Sequence, residues 1–139
     1  MTTGDVLSRS GGLVVLVDPG RTTPEDAADL TQRSADAGAA AMMLGTSFGS
    51  TERSAALVRA IKHAAPELPL IQFPATAAQL VAGTDAALFL SLVSGRNPQY
   101  LIEEHVRAVP FFERHPETLA QCAEAATLRI ARLDRGAQP

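Results

Sequence analysis

Apolar residues along the chain fall into short runs separated by amphipathic stretches. Leu13-Val-Val-Leu-Val17 is continuously apolar, bounded by Gly12 and by Asp18-Pro19-Gly20. Continuous rather than alternating apolarity suits a strand buried on both faces, as in parallel sheets. Thr23-Pro24-Glu25-Asp26 then opens a helix, with Thr as N-cap, Pro at the first helical position and two acids in the first turn. Gly38 ends it. Ala41-Met-Met-Leu44 is a second strand, closed by Gly45-Thr46-Ser47-Phe48-Gly49, and Ser50-Thr51-Glu52 starts a helix with Leu57, Val58, Ile61 and Ala65 on one face, stopped by Pro66. A third strand is expected at Leu68–Phe73, followed by a short helix from Ala77 to Ala82. The fourth strand is Ala86–Val93. A helix carrying Tyr100, Leu101, His105 and Val106 follows Asn97-Pro98, with Pro110 and Pro116 marking its end. A final amphipathic helix over 117–135 has Leu119, Ala123, Ala126, Ile130 and Leu133 as its stripe.

Four strand–helix units predict an α/β chain with a parallel sheet. The sheet is either open and doubly wound or part of a (β/α)₈ barrel, and no G-x-G-x-x-G follows the first strand to support a dinucleotide site. The length of 139 residues fits a single domain, 1–139. A hydrophobic content of 46% with 19% charged residues is globular in kind. Net charge is −3 and no Lys/Arg run occurs, so neither nucleic acid nor a membrane surface is an expected partner. No apolar stretch approaches the ~20 residues of a membrane span, and the N-terminus lacks the pattern of a secretory signal. The one cysteine, Cys122, excludes an internal disulfide and multi-cysteine zinc sites and points to a reducing, cytoplasmic setting.

In both architectures ligands sit at the carboxyl ends of the strands. Those ends offer Asp18, Pro19, Gly20 and Arg21, then Gly45, Thr46 and Ser47, then Phe73, Pro74 and Thr76, then Ser91, Ser94, Arg96 and Asn97. One carboxylate, several hydroxyls, glycines and two arginines suit a Mg²⁺–phosphate group: a hard oxygen ligand for the ion, and N–H and guanidinium donors for anionic oxygens. Each residue also has an ordinary structural use. Asp18 before Pro-Gly is by itself a turn residue, Thr46 and Ser47 can cap a helix, Ser91 in an apolar strand reads first as an internal hydrogen-bonding group, and Arg96 can serve as a rim ion-pair partner. Asp85 lies at the opposite, amino end of its strand. Glu103-Glu104 reads as a solvated face, His63 and His115 as solvated, His105 as packed, and Cys122 as a small buried hydrophobe.

The strand ends in order, V-D-P-G-R, M-L-G-T-S, L-I-Q-F-P-A and T-D-A-A-L-F-L-S-L-V-S-G-R-N-P, resemble the geranylgeranylglyceryl phosphate synthase family over about Leu13–Val109. The resemblance implies the first half of a TIM-barrel prenyltransferase: four parallel βα units plus a C-terminal helix, in a half-barrel. It implies transfer of a prenyl group from a prenyl diphosphate to a hydroxyl of a glycerol-phosphate-type acceptor, with Mg²⁺ as cofactor. On that pattern Asp18 acts in catalysis and, with Ser47, holds the metal, while Arg21, Gly45, Thr46, Ser47, Phe73, Ser91, Arg96 and Asn97 bind substrate. Phe73, Phe89 and Ala-rich helix surfaces could line a prenyl groove.

The departures are specific. Arg21 stands for the family's Lys, Thr46 for its second Gly, Ala75 for the Gly of F-P-G, and Ser94-Gly95 for Asn-Ser. Nothing after Arg107 matches the family's E-x-I-P-x-x-Y-like segment or its late glycine-rich phosphate loops. A full barrel needs about 250 residues. A half-barrel leaves open edges and a bare sheet face, so a homo-oligomer, a dimer, or a partner chain supplying the second half is expected. Two other functions fit the same diphosphate end: acceptor-free ionisation and cyclisation as in terpene cyclases, and a non-catalytic prenyl-binding or partner subunit. Against the former stand the lack of a D-D-x-x-D-like cluster and an aromatic content of 4%.

Overall fold

The strands form in the apolar runs, and their order decides between the two closures. The structure is a computed structural model describing residues 12–45, 51–88 and 96–118. It holds β1 (Val14–Val17), β2 (Ala41–Leu44), β3 (Leu70–Gln72) and β4 (Ala86–Ala87) in one sheet, all parallel, in the order β1-β2-β3-β4. A doubly wound sheet reverses its strand order at a switch point, whereas a barrel adds each strand beside the last. The consecutive order is the barrel's, and the four units form half of a (β/α)₈-type barrel. Residues 89–93 of the expected fourth strand and 119–135 of the expected final helix lie outside the described residues.

The pleat divides the sheet into two apolar faces, as continuous apolarity requires. On the outer face Val17, Met42, Leu44 and Leu70 pack with Ala27 of α1 (Pro24–Asp36) and with Leu57, Val58 and Ile61 of α2 (Thr51–Ala64). Burying each such Leu, Ile, Val or Met contributes about 1.5–3 kcal/mol, so this layer dominates the stability. On the inner face the register sets Leu16, Met43, Ile71 and Ala86 in one row, the layered arrangement of a barrel interior. Ala41, Ile71, Ala86 and Leu88 are buried there, but Leu16 is 55% and Phe73 38% exposed.

Helix boundaries follow local chemistry. Thr23 Oγ1 accepts the Asp26 N–H at 3.1 Å, and Gly38 just past the C-terminus of α1 takes φ +77°, a backbone state that favours glycine. The third unit departs from the expected helix over Ala77–Ala82. A single 3₁₀ turn, Ala77–Gln79, stands there instead. The outer side of β4 is therefore covered by the following helix, α3 (Glu104–Arg114), whose Ala108 and Phe112 pack on Leu80 and Ala87. α3 is entered through a π-helical turn, Gln99–Glu103. Pro110 does not end the helix as its type suggests but lies inside it, exposed, and the helix runs on to Arg114, whose Nε donates to the Pro110 carbonyl at 2.8 Å. Exposure lets water serve the carbonyl that the missing Pro110 N–H leaves unpaired.

The single buried amide in β3 is fully used. Gln72 donates to the Val81 carbonyl (3.1 Å) and Thr84 Oγ1 (2.7 Å) and accepts the Val81 N–H (3.0 Å), fixing the β3–β4 connection. At the amino ends, Asp85 pairs with Lys62 and accepts the Leu70 N–H, the structural role expected of it. Thr118 is buried, with its hydroxyl donating to the Thr84 carbonyl at 3.3 Å.

Because α3 replaces a missing third helix, Phe112→Ala should cost about 3–5 kcal/mol in urea unfolding, while Val106→Ala at the exposed side of the same helix should stay within about 0.5 kcal/mol. Equal effects of the two would contradict the assigned packing.

Candidate functional site at the carboxyl ends of the strands

Asp18 follows β1 directly. Its Oδ1 accepts the Gly20 N–H at 2.7 Å, and its carbonyl accepts the Arg21 and Thr22 N–H groups, each at 3.0 Å. The side chain thus shapes the Asp18–Thr22 turn and is held at the rim, half-buried, by that same turn. Arg21 is exposed beside it. Gly45 follows β2, and its N–H is already paired to the Val17 carbonyl at 3.1 Å. The reason for glycine here is space: a Cβ would lie 2.7 Å from the Phe73 carbonyl oxygen and 3.0 Å from Phe73 Cβ. Phe73 in turn donates its N–H to the Leu44 carbonyl at 2.6 Å.

These ends enclose one small cleft of about 10 Å³, room for a single water, lined by Pro19, Gly45, Ser54, Gln72, Phe73 and Pro74 among others. The structure therefore brings together the ends of β1, β2 and β3. Of the other expected site residues, Arg96 and Asn97 are exposed, and Asn97 Oδ1 accepts the Gln99 N–H at 3.1 Å, capping the turn into α3. Thr46, Ser47 and Ser91 lie outside the described residues, as do Ser94, Gly95, Phe89 and Cys122. Among the described residues no group of three His, Cys, Asp or Glu side chains could hold a metal ion. A lone rim carboxylate fits Mg²⁺ in the form in which the ion rides on substrate phosphates with one or two protein carboxylates.

The Glu103-Glu104 pair divides. Glu103 is half-buried, with Arg107 at 3.5 Å. Glu104 is not on a solvated face: it is 5% exposed and accepts the Ala77 N–H at 2.6 Å, Arg107 at 3.0 Å and Gln99 Nε2 at 3.4 Å. The Ala77 amide foremost, then Arg107 and Gln99, hold its carboxyl below the ordinary 4.5, against the opposing push of burial. A depressed carboxyl contributes stability that is present above its unfolded value and lost as pH falls through the folded one. A signal for this existed in the sequence: Glu104, Ala108 and Phe112 share one stripe at i, i+4 and i+8, and all three are buried. His115 likewise is not simply solvated, since its ring packs against Phe111, centroids 4.6 Å apart and planes tilted by 40°, and its Nδ1 lies 3.4 Å from Glu117.

Fold and rim together define a barrel-type α/β chain with a ligand rim at the carboxyl ends of consecutive parallel strands. The sequence profile of the PcrB family matches residues 5–128, and the chain belongs to that family. It is 40% identical over 103 residues to a geranylgeranylglyceryl phosphate synthase of Methanothrix thermoacetophila, covering 73% of this chain and 40% of that protein. A second, from Thermofilum pendens, is 36% identical over 103 residues, again covering 73% of this chain and 40% of the other. Among solved structures, wild-type GGGPS from Thermoplasma volcanium superposes with a TM-score of 0.72 at 24% identity, covering 82% of this chain and 47% of that one. The (S)-3-O-geranylgeranylglyceryl phosphate synthase from Thermoplasma acidophilum, in complex with sn-glycerol-1-phosphate, gives 0.70 at 28% identity, covering 81% and 48%. The chain spans less than half the length of these relatives. No helix among the described residues is long and apolar enough to cross a membrane.

Gly45→Ala should destabilise the protein by about 1–3 kcal/mol through overpacking against Phe73, measured by urea unfolding. A neutral substitution would show that the glycine serves something other than this close approach.

Proposed function

We propose that this chain carries the diphosphate-binding half of a prenyltransferase that joins a prenyl group to a hydroxyl of a glycerol-phosphate-type acceptor. The observation that carries the reading is the rim carboxylate, Asp18, held by its own turn beside a cleft walled by Gly45, Phe73 and Pro74, in a chain of the PcrB family. On the family pattern Asp18, together with Ser47, would hold Mg²⁺ on the diphosphate. Bound there, the ion would draw off charge that accumulates as diphosphate departs. Arg21, Arg96 and Asn97 stand at the same end of the sheet to donate to anionic oxygens, a role suited to guanidinium groups. Phe73 presents an apolar wall where the allylic carbon must be kept from water. In the reaction the allylic C–O bond to diphosphate breaks, a C–O bond to the acceptor hydroxyl forms, and the hydroxyl proton leaves to a base on the acceptor side.

A second copy of this chain would close the barrel. β1 and β4 each have one described neighbour. A two-fold axis along the barrel would set β4 of each copy parallel to β1 of the other, closing eight strands in one direction and covering Leu16. Such an interface is self-complementary, as two-fold contacts must be. It also places both Asp18 carboxylates on one rim.

Incubated with Mg²⁺, a prenyl diphosphate and glycerol phosphate, the protein should form an ether product, and Asp18→Ala should lower the rate on the order of 100-fold. Hydrocarbon or alcohol released equally without acceptor, or inertness unchanged by Asp18→Ala, would overturn the assignment. Sedimentation should show a dimer at micromolar concentration and a folded monomer for Leu16→Asp, since Leu16 is 55% exposed in the single chain. A wild-type monomer would contradict the second copy.

A further inference from the structure

Between β3 and β4 the usual long helix is absent, and the 3₁₀ turn Ala77–Gln79 has no cap of its own: Thr76 precedes it without a side-chain bond to its amides. A short uncapped turn has too few internal bonds to hold its place. It is held from outside on both flanks. Glu104 Oε2 accepts the Ala77 N–H at 2.6 Å from the first residue of α3, and Thr51 Oγ1 donates to the Ala78 carbonyl at 2.9 Å from the first residue of α2. The loop leading into the turn is tied within itself, Ala75 N–H to Gln79 Oε1 at 2.7 Å. Glu104 also receives Gln99 and Arg107, so one carboxylate joins the connection after β3 to the turn that follows Asn97.

The two bonds to the turn therefore lace three consecutive rim connections, those after β2, β3 and β4. The charged one is the stronger, since hydrogen bonds to an ionised acceptor exceed neutral ones. An open cleft of about 510 Å³ runs beside this junction, walled by Thr76, Ala77, Gln99, Glu104 and Arg107. Replacing the carboxylate would leave the Ala77 amide and the Arg107 guanidinium with nothing to join them across it.

We infer that Glu104 is a positioning residue for the rim: by capping the Ala77 turn from α3 it makes the connections after β3 and β4 move as one, and so sets Phe73 and Asn97 in fixed relation. It does not touch the reacting atoms. Its value for catalysis rests on the diphosphate reading above, but the coupling of the two connections does not.

Amide hydrogen exchange at neutral pH separates the two. In Glu104→Ala the Ala77, Gln79, Leu80 and Gln99 amides should all exchange about ten- to a hundredfold faster, the range expected for losing a hydrogen bond to a charged group. The Met42 and Leu70 amides within the sheet should not change. Glu104→Gln, which preserves volume and an acceptor oxygen, should give a smaller rise at the same four positions and covers the case in which the alanine variant fails to fold. Thr51→Val should loosen Gln79 and Leu80 from the other flank. Acceleration at Ala77 alone, or no acceleration, would overturn the coupling. With Mg²⁺ and inorganic pyrophosphate as probe, the variants should bind about tenfold more weakly than wild type, the scale seen when a supporting partner is removed. Equal binding by wild type and variants would refute the positioning role. Failure of the wild type to bind pyrophosphate would sink the proposed function and the catalytic value assigned to Glu104, while the exchange result would still decide the coupling.

Discussion

The constraint on which the rest of this structure depends is the parallel sheet with apolar residues on both faces. Each strand needs a crossover long enough to return to the same edge and bulky enough to cover one face. The first two crossovers meet this with α1 and α2, and their contacts with Val17, Met42, Leu44 and Leu70 form the main core. The third does not, because Ala77–Gln79 is a single turn. α3 must therefore lie over β4 and Leu80, and its position is fixed by Phe112 at one end and Glu104 at the other. A local shortage of helix is thus converted into a dependence of the rim on one buried carboxylate.

That arrangement gives the carboxyl-end rim two unlike parts. The ends of β1, β2 and β3 meet tightly, with Gly45 pressed against Phe73 and the Asp18 turn alongside. The part after β4 is attached through Glu104 rather than through strand pairing in the described residues. Stability and site geometry draw on the same contacts here, which is why a residue far from the expected chemistry, such as Glu104, bears on both.

Much of this was legible in the sequence because it rests on local chemistry. The apolar runs mark β1 and β2, Thr23-Pro24-Glu25-Asp26 marks the start of α1, and Gly38 marks its end. The strand-end motifs, in order, resemble the geranylgeranylglyceryl phosphate synthase family, and the PcrB family profile matches residues 5–128. What was illegible depends on distances across the chain. For Gly45 the sequence does not show the packing reason for a glycine: its N–H bonds the Val17 carbonyl and its missing Cβ makes room for Phe73. Glu104 looked solvated beside Glu103 because its main partner, the Ala77 amide, is 27 positions away. Pro110 looked like a stop, but on an exposed helix side its missing N–H is tolerated. The choice between open sheet and barrel likewise needed the strand order, which no periodicity records.

The central claim is that the carboxyl ends of these strands bind a Mg²⁺–diphosphate through Asp18. Amide chemical-shift mapping during titration with Mg²⁺ and inorganic pyrophosphate tests it most directly. Saturable shifts should concentrate at Asp18, Gly20, Phe73 and Asn97 and vanish in Asp18→Asn. Shifts clustered instead around Lys62 and Asp85 at the amino ends, or no saturable shifts at all, would contradict the account.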